Sequence, residues 1–243
     1  MPFAFCNFAL LLMSSDISKL EKSRWDKWWI KLHQRTSHST RVRQLARIFS
    51  GIMEDGKNVK VKCLDVGCGD MQIAELIAAA NAKTIWTCLD IYPLPEDLKS
   101  QEKWQKYRSF DGQHIPTEDQ SFDYVLLCDV LHHSLDPALV LRECARVGKK
   151  IIVKDHYQYG YFSNLILKWM DRFGNQAYGV HIPGKYFSVD GFSALCRKCG
   201  LEIVQQQAGI QLYGHLPVLR RVLRKEWQFW AVLENQDATS KLK

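Results

Sequence analysis

Apolar and polar positions alternate in a regular order along residues 59–154. Short apolar runs rich in valine, isoleucine and leucine are separated by segments whose apolar residues return every three or four positions. The runs are typical of buried strands, and the spaced pattern is typical of amphipathic helices. Strands are predicted at 59–66, 84–91, 106–110, 123–128 and 150–154, with helices at 71–80 and 138–147. This alternation indicates a doubly wound parallel sheet with helices on both faces.

The pattern changes on both sides of this core. Helical spacing in residues 16–53 predicts one or two amphipathic helices, whereas residues 157–187 are rich in aromatic residues and glycine. The latter segment is predicted to be an insertion over the carboxyl edge of the sheet. A helix at 189–199 and strands at 201–207 and 227–233 bring the strand count to seven. The predicted organisation is an N-terminal helical arm or lid (1–56), a sheet domain (57–236) with its insertion, and a polar tail (237–243).

Composition and charge narrow the functional classes. The chain is 47% hydrophobic with only 14 glycines and 7 prolines, which is typical of a globular protein. Its net charge of +7 arises in residues 1–62, with 12 Lys/Arg against 5 Asp/Glu, since the remainder carries 21 of each. This basic arm is either a solvated helix face or a segment attracted to phosphate on a membrane surface or on RNA.

The N-terminal leader and the cysteines bear on localisation. Residues 1–12 are apolar but too short to span a bilayer, so they are either a non-native start or a weak membrane contact. Eight scattered cysteines favour a reduced compartment. Cys196 and Cys199 form a CxxC without a second pair, so no metal site is predicted. A cytoplasmic protein is expected, with membrane association left open.

The segment CLDVGCGD at 63–70 carries the clearest chemical signal. An apolar strand runs into Gly67-Cys68-Gly69, and a helix is predicted to begin directly afterwards. Glycines let the backbone turn sharply and approach a ligand closely. Asp65 at the strand end would repel a pyrophosphate but suit a cationic ligand with an α-amino group. S-adenosylmethionine carries both a sulfonium and an ammonium, whereas a dinucleotide is disfavoured.

Two further acidic residues follow the next strands. Asp90, followed by Ile91, ends the second predicted strand, where a carboxylate can accept hydrogen bonds from both ribose hydroxyls. Asp111 and Gly112 follow the third strand, where Asp111 could accept a hydrogen bond from the adenine amino group.

These segments resemble the successive motifs of class I S-adenosylmethionine-dependent methyltransferases: DVGCG at 65–69, Asp90, DG at 111–112 and SFDYV at 121–125. The similarity is greatest to the broad type 11 group around the ubiquinone and menaquinone C-methyltransferases, and it covers roughly residues 60–155. It implies a seven-stranded sheet in the order 3-2-1-4-5-7-6 with an antiparallel last strand. It also implies S-adenosylmethionine as cofactor and S-adenosylhomocysteine as product. The predicted cofactor-binding residues are Asp65, Gly67, Cys68, Gly69, Asp90, Ile91, Asp111, Gly112, Cys128 and Asp129.

Histidines after the fourth and fifth strands are the candidates for catalysis. In-line methyl transfer requires an aligned acceptor and, where the acceptor is protonated, a base. His132 and His133 are adjacent, so only one easily faces a pocket, and His133 is favoured slightly. Asp155 and His156 could form a carboxylate–imidazole pair if the strand ends before them. His181 in the insertion is a further candidate for contact with the acceptor.

The leading functional hypothesis is methyl transfer to oxygen or carbon of a small, partly apolar acceptor that resembles a lipid, quinone or polyketide. The absence of an Asn/Asp-Pro-Pro-Tyr run after the fourth strand disfavours amide and exocyclic amino nitrogens. Aromatic residues of the insertion are expected to line or cover the acceptor pocket: Tyr157, Tyr159, Tyr161, Phe162, Trp169 and Phe173.

Two alternatives remain open. The first is a tRNA wobble-uridine-type methyltransferase, in which Arg41, Arg43 and Arg47 contact phosphate. The second is a non-catalytic cofactor-binding protein. The sequence leaves the acceptor and the oligomeric state undetermined.

Overall fold

The computed structural model describes residues 39–53, 59–175, 185–213 and 223–236. Most of the predicted N-terminal arm, the apolar leader, the polar tail and His181 lie outside these ranges. None of the helices within them is long and apolar enough to cross a membrane.

The described residues form one seven-stranded sheet in the order β3-β2-β1-β4-β5-β7-β6, as predicted. The strands are β1 (Val61–Val66), β2 (Thr84–Asp90), β3 (Tyr107–Ser109), β4 (Phe122–Cys128), β5 (Gly148–His156), β6 (Leu201–Ala208) and β7 (Gln228–Asn235). Strands β1 to β5 pair in parallel, whereas β7 is antiparallel to both β5 and β6. The carboxyl ends of β1, β2, β4 and β5 therefore lie along one edge of the sheet.

Helices cover both faces of this sheet. They are α1 (Ser39–Met53), α2 (Gln72–Ala80), α3 (Glu96–Lys99), α4 (Pro137–Val147), α5 (Tyr161–Asn175) and α6 (Val189–Lys198). One apolar cluster joins the α4 and α6 layer to alternate strand residues such as Leu64 and Val125. The other joins α1 and α2 to the intervening residues, such as Cys63 and Leu126. The two faces follow from the period-two alternation of strand side chains.

Local sequence explains the entry to α4. The Asp136 carboxylate accepts hydrogen bonds from the backbone N–H groups of Ala138 and Leu139, both at 3.0 Å, and Pro137 is the first helical residue. An aspartate cap followed by proline is a common start of a helix. This cap fixes the end of the short 3-10 turn Leu131–His133, which holds two of the candidate histidines.

Strand β5 is longer than the sequence predicted. Its predicted end was residue 154, but it pairs with β7 as far as His156, which lies opposite Gln228. Pairing with an antiparallel partner extends the strand, although its last three residues are polar and buried. Asp155 and His156 therefore belong to the strand, which the sequence analysis had expected to end before them.

Tyr157 differs from the role predicted for the aromatic insertion, whereas the contact of its other aromatic residues with an acceptor remains a prediction. Tyr157 is fully buried and stacks on Phe229, with ring centroids 3.8 Å apart, so it belongs to the core and does not line a pocket. Tyr161 and Phe162 on α5 are 76% and 78% exposed. Tyr159 and Trp169 also expose more than half of their surface. The opposite face of α5 packs inward through Leu167.

Candidate active site

The glycine loop lies between β1 and α2 at the carboxyl edge of the sheet. Gly67 has φ +72°, and a Cβ at this position would lie 2.5 Å from Val130 Cγ2, so only glycine fits. The backbone N–H groups of Gly67 and Cys68 donate to the carbonyl of Leu89, at 2.8 and 3.0 Å, which ties the loop to β2. Gly67 and Gly69 are exposed, and the loop backbone is open to a ligand.

Two buried carboxylates stand behind this loop. Asp90 accepts hydrogen bonds from the backbone N–H groups of Gly69, at 2.8 Å, and Tyr92, at 3.3 Å. Asp65 is 3% exposed, and among the described residues no group donates a hydrogen bond to its carboxylate. Burial, together with the charges of Asp90 and Asp70, raises the pKa of Asp65 to about 7. At pH 7 Asp65 is therefore only partly ionised, and a cationic ligand beside it would stabilise the ionised carboxylate.

The third predicted contact lies beside the second. Gly112 has φ +78°, and a Cβ there would lie 3.0 Å from Ile91 Cγ2, so these two residues are neighbours. Asp111 is exposed, and its carboxylate accepts hydrogen bonds from the backbone N–H groups of Gln113 and His114, at 2.8 and 2.7 Å. These bonds to His114 and Gln113 lower the pKa of Asp111. Its proposed contact with adenine remains a prediction.

His132 occupies the centre of a second cluster, at the ends of β4 and β5. Its side chain is 1% exposed, and its Nδ1 lies 2.6 Å from Asp155 Oδ1. Its Nε2 lies 3.1 Å from Asp171 Oδ2 on α5, as an ion pair and not as an aligned hydrogen bond. Burial alone would lower the pKa of His132, but the two carboxylates outweigh it and raise that pKa to about 9.

Asp129 is held between two cations. It has φ +58°, and its carboxylate pairs with the guanidinium of Arg41 on α1 and with Lys154 Nζ, at 2.5 Å. Lys154 is fully buried. Burial and the charge of Arg41 lower the pKa of Lys154 to about 8. Asp129 was predicted to bind the cofactor, and this contact remains a prediction, because a carboxylate that pairs with two cations can still accept a further hydrogen bond.

His156 lies at the edge of the same cluster. Its backbone N–H donates to Asp155 Oδ1 at 2.7 Å, while its ring Nδ1 lies 3.3 Å from Asp129 Oδ1 without a hydrogen bond to any described residue. Burial and the charge of Lys154 lower the pKa of His156 to about 3. The ring is 7% exposed and neutral at pH 7, and this low pKa makes it a weak base in the absence of a ligand.

The structure changes the predicted pairing of these residues. The Asp155 carboxylate was expected to pair with His156, but the closer imidazole is that of His132, and the ring of His156 is 3.7 Å away. His132, not the favoured His133, lies at the centre of the cluster. His133 is half-buried and packs on His132, with ring centroids 4.0 Å apart. Cys128, at the end of β4, is half-buried between the two clusters.

Three residues of the cluster were not assigned to it from the sequence. Arg41 was expected to contact RNA phosphate in one alternative, but it pairs with Asp129. Asp171 and Tyr186 were not considered at all, although the Tyr186 hydroxyl donates to Asp171 Oδ2 and its ring stacks on His132 at 5.3 Å. The helical spacing could have indicated Asp171, because it follows Leu167 by four residues. An acid therefore lies on the same face of α5 as this buried apolar residue.

Four of these side chains also lie close enough together to surround a metal ion: Asp129, His132, Asp155 and His156. Their charges are already matched by this chain. The carboxylates of Asp129, Asp155 and Asp171 face Arg41, Lys154 and protonated His132. A divalent cation would have to displace Lys154 or Arg41 from Asp129, so the donor set fits an internal ion network better than a metal centre.

Comparison with known proteins agrees with this geometry. Residues 64–151 match the family model of a methyltransferase domain. The ubiquinone biosynthesis O-methyltransferase of Neisseria meningitidis is 26% identical over 195 residues, which cover 73% of this chain and 78% of that enzyme. These matches support a class I S-adenosylmethionine-dependent methyltransferase.

Other methyltransferases match over different lengths. The enzyme of the same name from Aliivibrio fischeri is 33% identical over 92 residues, and the match spans only 39% of its length. A chain from the complex of the Haloferax volcanii Trm112 methyltransferase activator with a methyltransferase has a TM-score of 0.60. It is 14% identical and covers 87% of this chain and 97% of its own, so it shows the fold alone.

The cofactor of this methyltransferase class is S-adenosylmethionine, and the residues present fit it. The buried, unneutralised Asp65 suits a ligand with an ammonium and a sulfonium. The open backbone at Gly67 and Gly69 allows close approach, and Asp90 stands where ribose hydroxyls are bound in sheets of this kind.

Proposed function

We propose that this methyltransferase transfers the methyl group to an oxygen or carbon of a small acceptor that has an apolar part. The observation that carries the proposal is the buried imidazole of His156 at the end of β5, whose Nδ1 has no hydrogen bond to any described residue. An O–H acceptor, or a C–H acceptor activated by a carbonyl, must lose its proton when it is methylated. The imidazole has a nitrogen free to receive that proton, and negative charge that develops on an acceptor beside it would raise its pKa towards the range that a base requires.

The cofactor end of the site would bind and orient the donor. Bound S-adenosylmethionine supplies an electrophilic methyl group on its sulfonium. Asp65 would neutralise the ligand's positive charge, and Asp90 would fix its ribose while holding the loop through Gly69 N–H. Gly67 and Gly69 would allow the backbone to approach the ligand. These contacts position the methyl group along the carboxyl edge, towards the ends of β4 and β5.

The acceptor end would exclude water and take the proton. His156 keeps 7% of its surface exposed and His133 is half-buried, whereas His132 is closed off at 1%. Among the three histidines of this cluster, His156 and His133 are therefore the ones that can reach an acceptor. The reaction consumes the donor and a protonated acceptor, and it yields the methylated acceptor, S-adenosylhomocysteine and one proton passed through His156 to solvent.

The relatives support an oxygen acceptor of quinone type. Both curated relatives described above are named as O-methyltransferases of ubiquinone biosynthesis. Among the alternatives, the RNA hypothesis loses one of its three phosphate contacts, because Arg41 is engaged by Asp129. Arg43 and Arg47 remain exposed on α1.

The direct test is label transfer from methyl-labelled S-adenosylmethionine to a catechol that carries an isoprenoid tail, with bulk tRNA as the competing acceptor. We expect label in the organic phase. His156→Ala should lower kcat by about 100-fold or more, because general bases contribute on that scale. His114→Ala is the matched control, because that histidine is 69% exposed and outside the cluster. Label in tRNA alone, or unchanged turnover in His156→Ala, would refute the proposal.

A further inference from the structure

His132 is flanked by a carboxylate at each ring nitrogen, and the two carboxylates come from different parts of the chain. Asp155 lies on β5, within the sheet common to the fold. Asp171 lies on α5, in the insertion, and Tyr186 lies just before α6. We refer to Asp155, Asp171 and Tyr186 together as the His132 clamp.

The clamp is held rigidly by its surroundings. Asp155 Oδ2 also accepts the backbone N–H of His132 at 3.3 Å, so this carboxylate fixes both the ring and the turn. The Tyr186 hydroxyl donates to Asp171, and its ring covers His132 at an interplanar angle of 28°. Tyr186 is in turn placed by its neighbour Phe187, whose carbonyl accepts the backbone N–H of Gln158 at 2.8 Å, directly after β5.

Two carboxylates on one imidazole have a defined consequence. A neutral imidazole has one N–H donor and one bare nitrogen, and a bare nitrogen that faces a carboxylate is repelled by it. Protonation at both nitrogens removes that repulsion and pairs each N–H with an acidic oxygen. His132, which is closed to solvent, is therefore unsuited to act as a base.

We propose that Asp171 and Tyr186 are positioning residues that keep His132 a fixed cation, and that this cation acts together with burial and Lys154 to keep the neighbouring His156 neutral. The rings of His132 and His156 are perpendicular, with centroids 5.3 Å apart. A permanent positive charge at this distance opposes a second protonation. The insertion would thus set the protonation state of the acceptor end, beyond any role as a cover.

Several ionisable groups of the described residues lie around the two rings and influence their pKa values. His132 is faced by Asp155 and His156 of β5, Asp171 of α5, Tyr186 and the adjacent His133. His156 is faced by Asp129, Lys154, Asp155, His132 and Tyr186, with Arg41 behind Asp129. Lys154 and His132 both disfavour protonation of His156, whereas Asp155 favours it.

The test is a pH titration of ring-labelled histidines by NMR in the wild-type protein and in Asp171→Asn, with signals assigned from His132→Gln and His156→Gln. Removing a carboxylate beside His132 should lower the pKa of His132 by about 1–3 units. His132→Gln removes the cation at every pH and should therefore raise the pKa of His156, whereas in Asp171→Asn His132 is still protonated where His156 titrates. A lower pKa of His132 in Asp171→Asn, together with a higher pKa of His156 in His132→Gln, would not follow from merely structural roles.

Three further variants control for loss of the fold. Tyr186→Phe removes only the hydroxyl that supports Asp171, and should lower the pKa of His132 by a smaller amount. Asp171→Glu should restore part of the shift at His132, whereas Arg172→Gln, the exposed neighbour on the same helix, should leave the pKa of His132 unchanged. Circular dichroism would verify that each variant is folded.

The proposal would be overturned if the pKa of His132 in Asp171→Asn stayed at its wild-type value, or if the pKa of His156 did not rise in His132→Gln. The role of His156 as proton acceptor rests on the proposed function, but the two charge states do not. Cofactor affinity should be unchanged in Asp171→Asn. Failure of methyl transfer and failure of the clamp are therefore distinguishable results.

Discussion

The two ends of the site differ in how their buried charges are paired. At the ends of β1 and β2, Asp65 and Asp90 are buried, and no cationic side chain of the described residues pairs with them. At the ends of β4 and β5, three carboxylates meet three cationic side chains and the charges balance. The first end is incomplete without a cationic ligand, whereas the second is complete and holds its groups in place before any ligand binds.

The difference also appears in where the residues come from. The cofactor end is built from one stretch, residues 63–112, and its contacts are made by the loops that follow consecutive strands. The acceptor end gathers Arg41 from α1 and Asp171 from α5 around residues of β4 and β5. A local unit of this kind can be shared across a large family, while an assembled network can vary with the acceptor.

The largest effect that follows from this comparison concerns Asp155. Asp155→Asn should lower the free energy of unfolding by about 3–5 kcal/mol, because it leaves a buried imidazolium with one partner in place of two. Asp155 is fully buried and accepts from His132 and His156, so its loss is not relieved by solvent. Urea denaturation monitored by tryptophan fluorescence would measure the change.

The control for Asp155→Asn is Asp123→Asn on β4. Asp123 pairs with an exposed lysine, Lys149, at 2.8 Å, and its side chain is 34% exposed. Solvent-screened ion pairs of this kind contribute about 1 kcal/mol or less to the free energy of unfolding. Equal destabilisation by the two variants would contradict a preorganised network at the acceptor end.

Replacement of Asp65 should change the free energy of unfolding in the opposite direction to replacement of Asp155. Its folded pKa of about 7 lies above the unfolded value, so its penalty is absent below about pH 4 and grows as the pH rises to 7. Asp65→Asn should therefore raise the free energy of unfolding at pH 8, on the order of 1–3 kcal/mol. The same variant should weaken cofactor binding at least tenfold or so, because it removes the charge partner of the ligand.

The exposed acid Asp97 on α3 offers the matched control for Asp65, because Asp97→Asn removes one negative charge at the surface. It should change neither stability nor affinity. A destabilised Asp65→Asn protein would mean that the carboxylate is internally satisfied, and the contrast between the two ends would fail.

The smallest effect is a pH dependence of stability from the acceptor end. The folded pKa of His132, about 9, lies above the unfolded value near 6.5. Its contribution is thus fully present below about pH 6.5 and declines as the pH rises. Between pH 6.5 and 8 the free energy of unfolding should fall by at most about 2 kcal/mol. His156, with a folded pKa of about 3, opposes folding below pH 6.5, so stability should peak near pH 6–7.

Asp65 also titrates in this window, so the slope is measured in Asp65→Asn, where that contribution is absent. Lys154, with a folded pKa of about 8, adds stability above pH 8, whereas buried thiols such as Cys63 oppose it there. Urea titrations at pH 6.5, 7.2 and 8.0 would measure the slope, and His132→Gln should abolish it. A slope that persists in His132→Gln would assign the effect to another group.

Much of the fold could be predicted because its signals are local. Strand and helix periodicity, the glycine turn at Gly67 and the Asp136-Pro137 helix start are each readable within a few residues. The sheet order came from the family resemblance, which depends on motifs that are themselves local. The length of β5 could not be read in this way, because its polar end is stabilised by pairing with β7, more than seventy residues later in the sequence.

The residues of the candidate site also divide into those that local sequence predicts and those that depend on contacts between distant segments. Asp65, Asp90 and Gly67 lie in the local motif, whereas the partner of Asp155 could not be chosen from sequence. His156 is adjacent and His132 is 23 residues away, yet the turn that follows β4 brings His132 closer. Asp171 and Tyr186 required the packing of α5 against that turn. Spacing along a chain does not report such contacts unless the helix face is analysed together with its burial.

The most direct test of the account is a calorimetric titration of the purified protein with S-adenosylmethionine and S-adenosylhomocysteine, with NAD as the control ligand, repeated in Asp65→Asn. We predict micromolar binding of the first two, no binding of NAD, and weaker binding of S-adenosylmethionine in the variant. Tighter binding of NAD, or unchanged affinity for S-adenosylmethionine in Asp65→Asn, would contradict a cofactor end built to receive a cationic ligand.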